Sequence, residues 1–176
     1  MKFAACAAML AFIMTASFGF PAFAQEGLSA ATKDFVYKAF IGNQFEIESS
    51  QLAVTQSMRP EVKDFAQMMI ADHTKIGDTL KQTLAASKLD LLPPKSLDKE
   101  HQETLDGLKS ASASMFDNLY IQAQTDAHEE AVSMFVNYAQ DGDNDNLKQF
   151  AANTLPTLER HLEKIQSFKK TTVTAE

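Results

Sequence analysis

Apolar residues recur at spacings of three and four along most of this chain, and that spacing is the repeat of an α-helix. Two segments carry it most clearly, from Pro60 to about Lys88 and from about Asp145 to Lys169. The stripe of the earlier segment consists of Val62, Ala66, Met69, His73, Ile76, Leu80 and Leu84. The stripe of the later segment consists of Leu147, Ala151, Thr154, Leu158, His161, Ile165 and Phe168. Each segment is therefore predicted to form a long helix that buries one face.

Two more long helices are predicted from the residues that start and stop them. One runs from about Ser29, a favourable N-cap, to about Ser57, because the proline that follows disfavours helical geometry in the residue before it. The other begins near Ser114, where Ser114 and Asp117 have the spacing of a capping box, and it ends before Gly142. The chain is thus predicted to hold four long helices.

The connections between these helices indicate the fold class. Residues 89–113 are predicted to cross over along the bundle, with a short helix near residues 97–109. Pro156 lies inside the last helix and removes a backbone hydrogen bond, so we expect a kink or a restart there. The prediction is an all-α, ferritin-like four-helix bundle with its core at about residues 29–169, and a plain up-down bundle with a decorated loop is the alternative.

Residues 1–24 have the organisation of a secretory signal peptide. A positive start precedes the almost entirely apolar segment Phe3–Phe20, and Ala22 and Ala24 are the small residues that a signal peptidase recognises. We therefore expect cleavage after Ala24, a mature helical domain of residues 25–176, and a periplasmic location. The alternative is an uncleaved leader that anchors the protein in the membrane. No membrane span is predicted after the leader.

Charge and cysteine content narrow the classes of partner and site. The chain carries a formal net charge of −7 and has no cluster of lysines and arginines, which argues against nucleic acid as a partner. A protein partner or a homo-oligomer is compatible with this composition. Cys6 is the only cysteine and lies in the predicted leader, so the mature protein is expected to lack disulfides and thiolate metal sites.

Histidines stand on helix faces that are otherwise apolar. His73 and His161 occupy stripe positions whose neighbours are apolar or small, and His128 shares a predicted face with apolar residues in the same way. On the first helix, Glu46 is the only charge in a stripe of apolar and small residues. A buried polar group without a hydrogen bond costs roughly 1–3 kcal/mol, so these four side chains are expected to find partners inside the bundle. His101, among charged residues on the crossover, is expected to be solvated.

The heights of these residues along the helices are compatible with one site. Glu46 lies 14 residues before Pro60 and His73 lies 13 residues after it, so the turn at Pro60 brings both to a similar height. His128 lies 14 residues before the later turn and His161 lies 19 residues after it. The second pair is therefore offset by several residues, and the sequence does not decide whether the internal proline absorbs the difference.

Imidazole nitrogens with one carboxylate oxygen suit Zn²⁺, Cu²⁺, Ni²⁺ or Fe²⁺, whereas Ca²⁺ and Mg²⁺ prefer more oxygens. The predicted ligands of one Zn, Cu or Fe ion are Glu46, His73, His128 and His161. Three acids adjacent to the histidines, which could orient the imidazoles from behind, are Asp72, Glu129 and Glu159. The alternative is a buried hydrogen-bond cluster of His and Glu that fixes the helix register and binds no metal.

Three motifs resemble a known family. They are Asp72-His73-Thr74-Lys75, His128-Glu129-Glu130-Ala131 and Leu155-Pro156-Thr157-Leu158 with His161 shortly after. In this order, and over about residues 33–168, the chain resembles the bacterial domain of unknown function 4142 family. The resemblance implies a ferritin-like helical bundle of the kind often described as an exported or outer-membrane protein, without an agreed biochemical activity.

Three functional hypotheses follow from the sequence. The first is a non-enzymatic bundle that binds one transition-metal ion for storage, sequestration or stress protection. The second is a metal-free structural or protein-interaction bundle. The third is a ferritin-type redox enzyme, but such enzymes use Glu-x-x-His in their di-iron sites, and here Ile70 and Leu158 stand three residues before His73 and His161. That departure places the redox enzyme last.

Overall fold

A computed structural model describes residues 28–173 of the chain, with side chains for residues 28–169. Within this part the chain forms five α-helices and no strand, which confirms the all-α prediction for these residues. The helices are α1 (Ala30–Gln56), α2 (Pro60–Ala86), α3 (Lys99–Ser110), α4 (Ala113–Asp141) and α5 (Asp145–Val173). None of the described helices combines the length and the hydropathy needed to cross a bilayer. The predicted leader, residues 1–24, lies outside the described residues.

Capping residues start the first three helices where the sequence predicts. Ser29 Oγ accepts a hydrogen bond from Thr32 N at 3.0 Å, which satisfies one of the free amides of the first turn of α1. Pro60 occupies the first turn of α2, where its missing amide removes no helical bond. Asp98 Oδ1 accepts from His101 N at 3.0 Å and so caps α3. Side-chain caps thus set where α1 and α3 begin.

Helix α4 begins close to Ser114 as predicted, but its cap differs from the prediction. The helix begins at Ala113 after the N-cap Ser112, so Ser114 lies inside the first turn and does not form a capping box with Asp117. The Asp117 carboxylate turns instead to the loop between α1 and α2, where Oδ2 accepts from Met58 N at 3.4 Å. Serine occurs at positions 112 and 114, and the spacing rule selected the wrong one of the two.

A kink or a restart is predicted at Pro156, and helix α5 continues through this residue without a restart. The helix extends to Val173, beyond the predicted end. Proline lacks the amide that would bond to the carbonyl four residues earlier. Thr154 and Leu158 on either side of Pro156 are both buried, so packing of the flanking turns offsets the lost hydrogen bond. Asn144 Oδ1, not Asp145, caps this helix by accepting from Leu147 N at 3.0 Å.

Buried hydroxyl contacts establish that α1 and α4 run antiparallel. Near the start of α1, Thr32 Oγ1 lies 2.5 Å from Tyr138 OH, which is near the end of α4. Toward the end of α1, Ser50 Oγ lies 2.9 Å from Tyr120 OH, which is near the start of α4. The residue numbers rise along one helix as they fall along the other, so the two helices have opposite directions.

Helices α2 and α5 are antiparallel in the same way. Asn146 Nδ2 donates to Ser87 Oγ at 2.9 Å, while farther along both helices His161 Nε2 lies 2.8 Å from Asp72 Oδ2. Because α2 also folds back on α1 through a short turn, α2 and α4 have the same direction. The connection of residues 87–98 and helix α3 therefore return the chain to the end of the bundle at which α2 began, and α3 packs on α1 and α4.

The apolar core divides into clusters that lie above and below one polar layer. The larger cluster, nearer the start of α1, consists of Phe35, Val36, Ala39, Phe40, Leu80, Leu84, Phe135, Tyr138, Leu147, Phe150, Ala151 and Leu158. The second, nearer the end of α1, consists of Ala53, Val62, Phe65, Ala66, Met69, Leu108, Phe116, Tyr120, Ile121, Ile165 and Phe168. Between these two clusters, the long helices present polar side chains to the interior.

Candidate metal centre

The polar layer contains the four side chains that the sequence predicts to face inward. Glu46 on α1, His73 on α2, His128 on α4 and His161 on α5 are all buried, with exposed fractions of 4%, 3%, 1% and 1%. The offset expected between His128 and His161 does not separate them, since His128 Nε2 and His161 Nδ1 lie 3.4 Å apart. One residue from each long helix thus reaches the centre of the bundle.

The three histidines form one compact group. Their ring centroids are 5.7 Å apart for His73 and His128, 5.5 Å for His73 and His161, and 5.4 Å for His128 and His161. One nitrogen from each ring lies within 4.8 Å of the other two, and all three rings are buried. This is the group within the described residues that could hold a metal ion.

Each imidazole uses one nitrogen to donate to a protein acceptor. His128 Nδ1 donates to the Gln124 carbonyl oxygen at 2.9 Å. His161 Nε2 donates to Asp72 Oδ2 at 2.8 Å. In the third ring, His73 Nδ1 donates to the side-chain oxygen of a residue on α1 at 3.2 Å. A neutral imidazole has one N–H, so each ring keeps one nitrogen with a free lone pair.

The free nitrogens are turned toward the interior of the group. His128 Nε2 and His161 Nδ1 face each other at 3.4 Å, and with both protons held elsewhere neither can donate to the other. His73 Nε2 is buried and has no hydrogen-bond partner among the described residues. Three bare nitrogens that converge without a shared proton repel one another unless a cation or a hydrogen-bond donor such as water lies between them.

The spacing of these nitrogens fits a transition-metal ion. Two nitrogen ligands at about 2.0–2.1 Å from a tetrahedral ion lie about 3.3 Å apart, close to the distance between His128 Nε2 and His161 Nδ1. His73 Nε2 is the third donor of the set. The donor set is therefore three neutral imidazole nitrogens.

Burial keeps the imidazoles in the neutral form that binds metal. Loss of water lowers the pKa of His73 well below its ordinary value, and the neighbouring rings of His128 and His161 lower it further. Burial lowers the pKa of His128 to about 4, again with a contribution from His161. The pKa of His161 is also lowered by burial, while its contact with Asp72 opposes that shift.

Glu46 lies beside the histidine group and not within it. Its Oε1 is 3.3 Å from His128 Nδ1, the nitrogen that donates to the Gln124 carbonyl and points away from the bare nitrogens. Its Oε2 is buried and has no partner among the described residues. Burial raises the pKa of Glu46 to about 8, against a hydrogen bond with Gln124. The structure thus places Glu46 behind His128, where a carboxyl group can orient the ring.

The three acids predicted to orient the imidazoles have different positions. Asp72 contacts His161 directly, and its side chain is 35% exposed. Glu129 is exposed and accepts from Gln166 Nε2 at 3.2 Å, and Glu159 is exposed on α5. Adjacency in sequence does not bring these two carboxylates near the rings, because successive helical residues point in different directions.

Asn43 is a residue of the candidate site that the sequence analysis missed. Its Oδ1 is the acceptor for His73 Nδ1 at 3.2 Å. Its amide lies against α2 at Gly77, where a Cβ atom would come within 2.7 Å of Asn43 Nδ2. Asn43 precedes Glu46 by almost one helical turn and Gly77 follows His73 by four residues, so both spacings were available as signals.

Comparison with solved structures finds the same fold at low sequence identity. A DUF305 fragment from Deinococcus radiodurans has a TM-score of 0.68 and 11% identity, with 80% of this chain and 96% of that chain covered. CopM in its Cu(II)-bound form has a TM-score of 0.66 and 17% identity, covering 79% and 95% of the two chains. CopM in its Cu(I)-bound form has a TM-score of 0.66 and 18% identity, with the same coverage. At such identities the likeness establishes the fold alone.

Sequence comparisons assign the chain to a protein family. No curated protein matches it. The profile described as "Domain of unknown function (DUF4142)" matches residues 20–168, a range that contains the whole histidine group and all three motifs that resemble this family. The prediction of the family from those motifs is confirmed, and the chain belongs to the DUF4142 family.

Proposed function

We propose that this protein binds one transition-metal ion, with copper as the leading candidate, through His73 Nε2, His128 Nε2 and His161 Nδ1. One observation carries the proposal: every ring of the group has its N–H engaged by a protein acceptor, and its bare nitrogen is turned inward. Such acceptors fix the tautomer and orientation of metal-binding histidines. A cluster that served only to fix helix register would satisfy both nitrogens of each ring with protein partners.

Copper is favoured by the chemistry of the donors. Imidazole nitrogens suit zinc, copper, iron and nickel, and among divalent ions copper binds such sites most tightly. The three donor nitrogens are neutral and buried, and burying a single positive charge costs less than burying two. Cu(I) is thus well matched to the site. CopM, one of the structural neighbours, is known in Cu(II)-bound and Cu(I)-bound forms, which supports the same choice. Zinc and iron are the competing ions.

The proposed role is sequestration or storage of the ion, not catalysis. Ligands from three helices hold the ion between two apolar clusters, which slows its release. The ferritin-like four-helix bundle that we propose for the topology is supported by the parallel directions of α2 and α4 and by the crossover of residues 87–98 between them. Di-iron chemistry finds no support, because the histidine group contains no carboxylate.

We further propose that the protein works in the periplasm after removal of residues 1–24. The support is the sequence of the leader, with its apolar segment and its small residues at positions 22 and 24. Mass spectrometry of the protein from a periplasmic fraction tests this directly. We expect an N-terminus at Gln25. A full-length mass in the membrane fraction would favour an anchored protein instead.

Metal analysis of the untagged mature protein tests the proposed function. Loaded with Cu²⁺ or Cu⁺ and then dialysed, the protein should retain one ion per chain, and His73→Ala should abolish retention. Leu80→Ala is the matched control, because Leu80 lies on α2 seven residues after His73 and is equally buried. Both truncations leave a cavity, but only one removes a ligand. Equal retention in the wild type and His73→Ala, or none in the wild type, would rule out the proposed site.

A further inference from the structure

A cavity of about 330 Å³ leads from the surface into the histidine group. Its inner wall includes Glu46, His73 and His128, and its outer wall includes the first turn of α3. Six water molecules occupy roughly 180 Å³ at about 30 Å³ each, so a hydrated metal ion fits inside. The cavity is therefore large enough to deliver an ion to the bare nitrogens.

Two buried polar atoms support a ligand in this cavity. His73 Nε2 and Glu46 Oε2 belong to residues that line it, and neither atom has a hydrogen-bond partner among the described residues. Both side chains are more than nine-tenths buried. Unsatisfied polar atoms at the inner end of a cavity are costly unless water or an ion occupies it.

The outer part of the cavity carries acidic groups. Asp98, Glu100 and Glu130 contribute three carboxyl groups there. Lys38 is the opposing cation, and its ammonium is already paired with Asp34 Oδ2 at 3.0 Å. An entrance with an excess of carboxylates raises the local concentration of cations and the rate at which they associate.

His101 stands in this entrance and is not the freely solvated side chain that the sequence predicts. Its side chain is only 24% exposed, and its ring packs edge-on against Phe45 with 5.1 Å between centroids. Its Nδ1 donates to Asp98 Oδ1 at 2.8 Å, and the same carboxylate oxygen caps α3. A carboxylate thus holds one nitrogen of His101, as Asp72 does for His161, and leaves Nε2 available to a cation.

The opposite face of the centre is a poorer entrance for a cation. A groove of about 530 Å³ between α2 and α5 reaches Asp72, but Lys75 and Arg160 also line it. On that side, the nitrogen of His161 that faces Asp72 is already hydrogen-bonded to it. Positive charge and an occupied nitrogen both disfavour entry there.

We propose that metal ions enter through the cavity beside α3, and that His101, held by Asp98, is the first imidazole to bind the incoming ion before it passes to the buried histidines. The inference rests on the proposed metal site and adds its route of loading. Along this route helix α3 affects the rate of metal binding. The three buried histidines set the equilibrium affinity.

Stopped-flow mixing of the mature apo-protein with Cu²⁺, followed by tyrosine fluorescence, tests the route. His101→Ala and the double variant Glu100→Gln with Glu130→Gln should each slow association by roughly 3- to 10-fold, and the double variant, which removes two charges, should also weaken its dependence on salt. In His101→Ala dissociation should slow by the same factor, so Kd and the stoichiometry stay constant, and the double variant should keep the stoichiometry. Glu159→Gln is the control, since it removes one exposed carboxylate far from the entrance and should leave the rate unchanged.

The outcomes separate the route from the site. If the wild type binds one ion per chain and both entrance variants associate at the wild-type rate or faster, the route is wrong and the proposed site stands. If His101→Ala lowers the stoichiometry, His101 is a permanent ligand and the transit role is wrong. If the wild type binds no metal, the proposed function fails first. His101→Gln, with a thermal unfolding curve, checks that a slow rate does not come from displacement of α3.

Discussion

His128 Nε2 and His161 Nδ1 face each other across 3.4 Å in the centre of the bundle, while the other nitrogen of each ring donates to Gln124 or Asp72. Because both protons are committed to those acceptors, the short distance brings two lone pairs together. Such an arrangement costs free energy in the apo-protein and is relieved when a cation binds both nitrogens. The pair therefore ties the stability of the fold to occupancy of the site.

Replacing a ligand with an apolar residue should stabilise the apo-protein while abolishing metal binding. His73 Nε2 is buried without a partner, and an unsatisfied buried group costs about 1–3 kcal/mol. We expect His73→Leu to raise the unfolding free energy of the apo-protein by about 1–2 kcal/mol, as measured by urea denaturation, and to remove the further stabilisation by copper. A loss of stability in the apo-protein would mean that His73 is satisfied in solution.

The contact between Asp72 and His161 should tune the affinity. Asp72→Asn keeps a hydrogen-bond acceptor near His161 Nε2 but removes the carboxylate. Loss of such a group typically lowers metal affinity 10- to 100-fold, and we expect a fall of about 10-fold in a competition titration with a copper chelator. Because Asp72 is partly exposed, the unfolding free energy of the apo-protein should change little. An unaltered affinity would show that Asp72 does not orient the ligand.

Two glycine substitutions distinguish the contact of Asn43 with His73 from the general effect of Gly→Ala on helix stability. At Gly77 an added methyl group would come within 2.7 Å of Asn43 Nδ2, whereas at Gly107 it would meet nothing within 4 Å. We expect Gly77→Ala to displace the Asn43 side chain from His73, weaken copper binding, and lose the stabilisation that alanine gives at an open helix position. Gly107→Ala should stabilise it by about 0.5–1 kcal/mol and leave binding unchanged. Thermal melts and copper titrations of both variants check this, and equal behaviour would contradict it.

The stability of the apo-protein should peak near pH 6.5. The pKa values of His73, His128 and His161 are lowered from 6.5 by burial, so the unfolded chain binds more protons and stability falls as the pH drops below 6.5. The pKa of Glu46 is raised from 4.5 to about 8, so its contribution is lost as the pH rises through 8. Below pH 6.5 the effect of the three histidines on the unfolding free energy exceeds the opposite effect of Glu46. Between pH 6.5 and 8 only Glu46 changes the unfolding free energy.

Unfolding of the metal-free protein between pH 4 and pH 9 measures this balance. A single proton changes stability by about 1.4 kcal/mol per pH unit, which sets the upper limit of the decline between pH 6.5 and 8. Glu46→Gln should remove that decline and steepen the rise in unfolding free energy between pH 4.5 and 6.5, where the raised pKa of Glu46 opposes the effect of the histidines. If the variant and the wild type have the same profile above pH 6.5, the Glu46 carboxyl is already ionised in the folded protein.

The sequence predicts most of the fold because each long helix carries its own signal. The stripes around His73 and His161 predict both the helices and the inward direction of the imidazoles, and the turn at Pro60 predicts the common height of Glu46 and His73. The choice between Ser112 and Ser114 as a cap depends on the path of the preceding loop. Local spacing does not contain that information.

The sequence could not predict which nitrogen of each ring is free. That property depends on contacts between helices, such as Asn43 with His73 and Asp72 with His161, whose geometry follows from the rotation of each helix in the packed bundle. Glu46 illustrates the same limit. Its height along α1 is as predicted, but a rotation that brings its carboxyl to His128 Nδ1 places it outside the histidine group.

X-ray absorption spectroscopy of the copper-loaded mature protein tests the central claim most directly. We predict a first shell of nitrogen scatterers at about 2.0 Å, with the multiple-scattering signature of three imidazoles and no sulfur. His161→Ala should remove one imidazole from that shell. A first shell dominated by sulfur, or by oxygen without imidazole scattering, would contradict the account, because the ion would then be bound at the methionines or at surface carboxylates.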